Sequence, residues 1–308
     1  MLAVMYHYVR PREKHLKYSH FLEMDEFRSQ LDTLQAEQGA VSQEDFLRIV
    51  DGRMEIPEKG FLLTFDDGLK DHYRYVLPEL VHRGLWGMFF VPSGQYRSQR
   101  MLNVHGLHYL LGNFGGEQVH RHLEGILTAQ DIVQEYLERY KENMYVLKGQ
   151  DDDEIKVKRL INYFVRKDRQ DEIMDRLADS LGQSLGMVQE YYLTAEEIAE
   201  MDRCGMLMGG HGKTHAILSQ LSPEQQEQEI VDSYEFLSDI VGQGRPRTFC
   251  YPHGQPYTFT EETKGILRKH GCRLSFAVGN RPVEQDDIAS GSLALPRYNC
   301  AQLELIHQ

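Results

Sequence analysis

Short apolar runs alternate with amphipathic helical patterns at both ends of this chain, and that alternation constrains its fold more than any other feature. Leu2 to Tyr6 reads as a buried strand, and Met24 to Glu37 sets Phe27, Leu31 and Leu34 at helical spacing. Ser42 is placed to cap a second helix, with Asp45 in its first turn and Phe46, Leu47 and Val50 facing inward. Gly60 to Phe65 is a second strand that runs directly into Asp66-Asp67-Gly68. A helix from about Asp71 to His82 follows, then a strand from Trp86 to Val91. This order predicts an α/β fold built on a parallel sheet or barrel.

The alternation then breaks off. From about Met101 to Tyr192 the pattern is nearly all helical, with Ile132, Tyr136 and Tyr140, then Leu160, Phe164 and Val165, marking amphipathic segments. Such a stretch between strands predicts a helical insertion at 101–192 that divides a domain made of 1–100 and 193–308. A cap over the mouth of the site is the role expected of it. Thr194 and Glu197 form a capping box for the next helix, and Met206-Leu-Met208 is a short strand entering Gly209-Gly-His-Gly-Lys-Thr-His215. Ser222, Pro223 and Gln225 start a helix to about Val241. Strands are read at Arg247 to Tyr251, Leu274 to Val278 and Leu293 to Arg297, with a helix from Thr260 to His270.

Charge and cysteine usage narrow the function classes. A formal net charge of -13 argues against a nucleic-acid backbone or an anionic membrane surface as principal partner. The four cysteines, Cys204, Cys250, Cys272 and Cys300, form no C-x-x-C pair, so neither a zinc ribbon nor a disulfide scaffold is indicated and a reducing compartment is expected. The first residues carry no basic, apolar leader and no run is long enough to span a bilayer, so a cytoplasmic location is the expectation. Oligomeric state is not legible.

Three polar clusters sit where apolar strands end, the rim from which parallel barrels build active sites. In Thr64-Phe-Asp-Asp-Gly68 the two carboxylates point different ways, so that one can hold a metal while the other contacts water; the plain alternative is an Asp-capped turn. In His211-Gly-Lys-Thr-His215 two imidazoles at i and i+4 can converge on one ion. With a carboxylate they make a set that leaves positions open for water and substrate. Among 14 histidines a chance pair at this spacing is the alternative, but this one follows a strand and is flanked by glycines. In Arg247-Thr-Phe-Cys-Tyr-Pro-His-Gly254 the Pro and Gly shape a turn whose backbone N–H groups can face an oxyanion, or simply turn the chain. Asp151-Asp-Asp-Glu154 lacks the ligand spacing of a calcium loop and reads as a solvated turn. His105, His108, His120 and His122 read as solvated or packing residues.

Together, in this order, the clusters resemble the polysaccharide deacetylases, the NodB-homology group or carbohydrate esterase family 4, whose markers are T-F-D-D-G, H-[ST]-x-x-H and an arginine-led strand ending in a Pro-Tyr turn. Met5-Tyr-His-Tyr-Val9 also looks like the Y-H-x-V start of relatives acting on poly-N-acetylglucosamine. The resemblance covers about residues 1 to 100 and 193 to 300 and implies a distorted (β/α)7-type barrel. It implies that Asp67, His211 and His215 hold a divalent metal, usually Zn2+, that Asp66 is the general base, and that an N–H near His253 meets the oxyanion. Arg297 or Arg247 is expected to orient Asp66 or bind substrate. The chain departs from the pattern at Gly212, where Ser or Thr is usual, and at His253, where tyrosine is usual. The late Leu-x-His that supplies the acid has only a terminal echo, Leu305-Ile-His307. His7 is the preferred acid and His253 the second.

The expected function is hydrolysis of an N-acyl, chiefly N-acetyl, group from an amino sugar, in a nucleotide- or lipid-linked intermediate of surface glycan assembly. N-deformylation is a close variant, and an inactive sugar- or metal-binding protein on the same scaffold is the alternative from another class. A magnesium phosphatase using the Asp pair is disfavoured by the histidines, since magnesium prefers oxygen ligands.

Overall fold

The computed structural model describes residues 1–12, 20–139 and 152–305. Seven strands form a closed, all-parallel barrel: β1 (Leu2–Tyr6), β2 (Phe61–Phe65), β3 (Met88–Val91), β4 (Leu207–Gly210), β5 (Thr248–Cys250), β6 (Leu274–Val278) and β7 (Leu295–Asn299). Five consecutive pairs, Leu2↔Phe61 to Tyr6↔Phe65, set the β1–β2 register, and Val4↔Tyr298 closes the ring between β1 and β7. Because every strand runs the same way, all their C-terminal ends share one rim.

The strands are buried on both faces, as a barrel wrapped in helices demands. Ala3, Leu62, Met88, Phe90, Leu207, Leu274, Phe276 and Leu295 pack together with residues of the second helix. Their neighbours Val4, Tyr6, Leu63, Phe65 and Phe89 pack against the first, in keeping with the period of two along a strand. The longer helices around it are α1 (Met24–Glu37), α2 (Gln43–Val50), α3 (Leu77–His82), α4 (Ala195–Arg203), α5 (Pro223–Val241) and α6 (Glu261–Lys269). Their starts follow the expected chemistry: Ser42, Thr194, Ser222 and Thr260 each accept a hydrogen bond from an N–H in the first turn.

Several boundaries shift by a residue or two from expectation, and two of the differences bear on packing and on the site. The segment expected as one helix from Asp71 opens with a π-turn, His72–Val76, before α3. Pro78, with no N–H to donate, stands in the first turn of α3, directly after the π-turn. The last strand lies two residues later than its apolar pattern suggests, so Arg297 stands mid-strand rather than closing it.

The chain divides into two compact units, 1–11 with 21–97 and 189–308, and 12–20 with 98–188. Within the second, helices Asn103–Phe114, Gly116–Glu124, Asp152–Arg159 and Gln170–Ser180 bury Leu107, Leu110, Leu123, Val157, Ile173 and Leu177. His105 is buried there, His120 pairs with Asp153, and His122 with Ser180, all packing roles. Tyr140 and Asp151 fall outside the described residues. No helix among those described is long and apolar enough to cross a membrane.

Candidate active site

The barrel rim gathers residues that are far apart in the chain. Asp66 and Asp67 follow β2, His211 follows β4 and His215 closes the same loop, and all four are buried. Asp67 Oδ1 lies 3.4 Å from Nε2 of His211 and 3.4 Å from Nε2 of His215. The imidazole rings stand 4.8 Å apart at 75°. His211 Nδ1 is 2.7 Å from the Cys250 carbonyl oxygen and must donate to it, since a carbonyl only accepts. That places a proton on Nδ1 and makes Nε2 the ring nitrogen turned to Asp67, the one that would ligate a bound cation in the arrangement metal-ligating histidines show.

This donor set suits a divalent cation. Two ligands about 2.1 Å from a tetrahedral zinc sit about 3.4 Å from each other, which is the spacing found here. A second trio, Asp66, His211 and Cys250, also comes within ligating range of one point. It is the poorer choice. Arg297 already occupies both Asp66 oxygens, its cation would repel a metal, and burial pushes the Cys250 thiol pKa up.

Asp66 is held differently from its neighbour. Arg297 Nη1 donates to Oδ1 at 2.8 Å and Nη2 to Oδ2 at 2.7 Å, a bidentate pair in which both residues are buried. Nη1 also donates to Thr64 Oγ1, which donates in turn to the Val4 carbonyl. Burial works to raise the Asp66 carboxyl, but Arg297, with His211 and His7 behind it, outweighs that and holds it at about 2. His7 Nε2 is 3.8 Å from Asp66 Oδ2, and its side chain keeps 40% exposure, so it faces both the carboxylate and solvent. The His7 carbonyl accepts from His72 Nε2 at 3.0 Å, and burial lowers His72 to about 4, keeping it neutral.

The backbone is strained at this rim. Of five non-glycine residues with positive φ among those described, three are Asp67 (80°), His215 (58°) and His253 (62°). Gly68, Gly212 and Gly254 beside them are also left-handed, at 61°, 73° and 70°. At Asp67, His215 and His253 such conformations cost about 1–3 kcal/mol each and persist where surrounding structure imposes them, typically at functional sites, whereas glycine adopts them freely.

The remaining expected residues divide. His253 sits on the turn after β5, its ring 4.9 Å from that of His215. Arg297 joins Asp66. Arg247 does not: its guanidinium lies over the Tyr234 ring and Nη1 donates to the His270 carbonyl, outside the barrel. His307 is outside the described residues. Two contributors were not legible as site residues: Cys250, whose thiol is 2.9 Å from Arg297 Nη2, and Glu229 of α5, which accepts from the N–H groups of Lys213 and Thr214. Nothing in composition marks either, although Glu229, Asp232 and Ser233 share one helix face by spacing.

The polysaccharide deacetylase family model matches residues 174–275. YxkH of Bacillus subtilis (strain 168), which carries a provisional polysaccharide deacetylase name, is 30% identical over 94 residues, 30% of this chain. The aligned segment spans about a third (32%) of that relative's length. Among solved structures, the deacetylase PplD of Streptococcus pyogenes, in complex with acetate, is 17% identical with a TM-score of 0.60, covering 97% of this chain and 91% of its own. IcaB of Ammonifex degensii is 20% identical with a TM-score of 0.55, covering 97% and 90%. At these identities the solved structures show a shared barrel fold.

Proposed function

Taking this chain's kinship with the polysaccharide deacetylases as premise, we propose that it is a metal-dependent hydrolase removing an N-acetyl group from an amino sugar. The observation that carries the reading is the convergence of Asp67, His211 and His215 on one point beside the Asp66–Arg297 pair. The domain reading follows the same line: residues 1–100 and 193–308 form the hydrolase barrel, and 101–192 is a helical insertion. The two compact units support this division.

A divalent cation, zinc by the two-imidazole, one-carboxylate chemistry of the set, would acidify a water and polarise the acyl carbonyl. The protein's own residues do the rest. Asp66, kept ionised and aimed by Arg297, takes the proton of the attacking water. Because so acidic a carboxyl is a poor resting place for a proton, His7, 3.8 Å away, is the group placed to pass one to the departing amine. His253, beside His215, is the alternative acid. The C–N bond breaks, the nitrogen leaves as the amine and the acyl carbon as a carboxylate.

The test is acetate release by the zinc-loaded protein from N-acetyl amino sugars, free, oligomeric, and linked to nucleotide or lipid carriers. The linked forms are proposed as the substrate class, and formate release from N-formyl counterparts is the close variant. Asp66→Asn should keep the metal and lose release. Acetate release equal to that of wild type by this variant would exclude the mechanism. Tight sugar binding by wild type, with no release from any substrate, would favour a binding protein.

A further inference from the structure

We infer that one face of helix α5, Glu229 with Asp232 and Ser233, is the bracket that positions the metal loop 211–215 in place of the hydroxyl absent at Gly212. The inference rests on the reading of Asp67, His211 and His215 as metal ligands. These three α5 residues lie at i, i+3 and i+4, hence on one side of the helix. All are buried, at 7%, 5% and 0% exposure, and each reaches the loop. Ser233 Oγ accepts from the His211 N–H at 3.2 Å. Glu229 Oε2 accepts from the N–H groups of Lys213 at 2.8 Å and Thr214 at 2.7 Å, while Oε1 accepts from Thr214 Oγ1 at 2.7 Å. Asp232 pairs with Lys213 Nζ at 2.7 Å. The main chain between the two imidazoles is thus tied down at residues 211, 213 and 214.

The glycines of the loop agree with this account. A Cβ at Gly212 would stand 3.1 Å from Glu229 Oε2, and one at Gly210 would stand 2.7 Å from Ser233 Oγ. The close approach of α5 leaves no room for a Cβ at Gly210, while at Gly212 a Cβ would crowd the Glu229 carboxylate and the φ of 73° is one a Ser or Thr adopts only under strain. The carboxylate fills the space and takes over the role that a side-chain hydroxyl at 212 would have. Hydrogen bonds from N–H groups to a carboxylate are about twice as strong as neutral ones, which suits a loop holding left-handed His215.

Glu229 touches neither metal nor substrate, so it is a positioning residue, and metal affinity in the absence of substrate is the readout. Zn2+ is titrated against a chromogenic chelator into wild type, Glu229→Ala, Glu229→Gln, Ser233→Ala, His215→Ala and Ile230→Val. The last is a control that trims a buried apolar side chain of the same helix, one packed with Leu218, Tyr234 and Phe249. We expect Glu229→Ala to weaken Zn2+ binding by about 10–100-fold, the range supporting residues command. Glu229→Gln should lose less, because its amide keeps one acceptor and the Thr214 hydroxyl can accept from its NH2. Ser233→Ala should lie between wild type and Glu229→Ala. Should Glu229→Ala fail to fold, the Gln and Ser233 variants carry the test. Wild-type affinity in all three bracket variants would overturn the proposal. So would a loss in Glu229→Ala no larger than in Ile230→Val at a matched drop in melting temperature. If His215→Ala binds Zn2+ as wild type does, it is the ligand reading itself that fails.

Discussion

Replacing Arg297 by Met tests how the barrel tolerates the Asp66 charge. The guanidinium and carboxylate are both nearly inaccessible, at 1% and 2% exposure, and the pair is bidentate at 2.8 and 2.7 Å. Methionine approximates the shape of the arginine stem, so the packing loss is small and the main effect is an ionised carboxylate left buried without its partner. Breaking a buried pair in this way costs about 3–5 kcal/mol, a large part of the roughly 5–15 kcal/mol by which domains are stable. Asp66→Asn alone leaves the cation unpaired and should cost a similar amount. The double variant buries no charge and leaves only unsatisfied amide and hydroxyl groups, for about 1–3 kcal/mol. The coupling energy from the cycle is therefore expected to be at least about 3 kcal/mol. Urea unfolding read by the fluorescence of Trp86, the one tryptophan, reports on the barrel, because its indole N–H donates to the Val41 carbonyl within that unit. Additivity of the two substitutions within about 0.5 kcal/mol would refute the argument, since it would mean the two groups do not feel each other.

Three further outcomes are expected. Asp67→Ala should weaken Zn2+ binding by more than the roughly 100-fold that a supporting residue commands, and should abolish the stabilisation of about 2.7 kcal/mol that Zn2+ at a hundred times its Kd confers; thermal shift with and without the ion measures both. Cys250→Ala should cost about 1–2 kcal/mol of stability in urea and leave Zn2+ affinity within a few-fold of wild type, whereas a collapse in affinity would assign the metal to the Asp66, His211, Cys250 trio instead. Gly212→Ser should destabilise the barrel by about 1–2 kcal/mol through its left-handed backbone and its contact with Glu229, and a serine variant as stable as wild type would contradict the described loop.

What could be read from the chain, and what could not, follows from the range of each physical signal. Periodicity is local, so Leu2–Tyr6, Phe61–Phe65 and the capped helices were legible, and the order of strands and helices implied a parallel barrel. The three polar clusters were legible because each abuts an apolar run. Choosing between Arg247 and Arg297 was not, because that depends on which way a side chain leaves the sheet. One turns out to Tyr234 and the His270 carbonyl; the other reaches Asp66 from mid-strand. The π-turn at His72–Val76 and the left-handed Asp67, His215 and His253 are answers to tertiary crowding and leave little trace in composition. Glu229 was read only as part of the helix that Ser222, Pro223 and Gln225 begin, since its three acceptor contacts lie 15 or 16 residues upstream.

The placement of the long helical stretch between β3 and β4 shapes how this chain reaches its native state. Met88 pairs with Leu207 and Val91 with Gly210, so neighbouring staves of the ring are separated by more than a hundred residues of intervening chain. The seam between β1 and β7 spans nearly the whole polypeptide. Only β1–β2–β3 and β4 to β7 can assemble from comparatively local encounters, so the ring is expected to nucleate as two arcs and to close late and slowly. Each doubling of a connecting loop adds only about 0.6 kcal/mol of closure entropy, so the long detour burdens the rate of assembly far more than the stability of the finished ring.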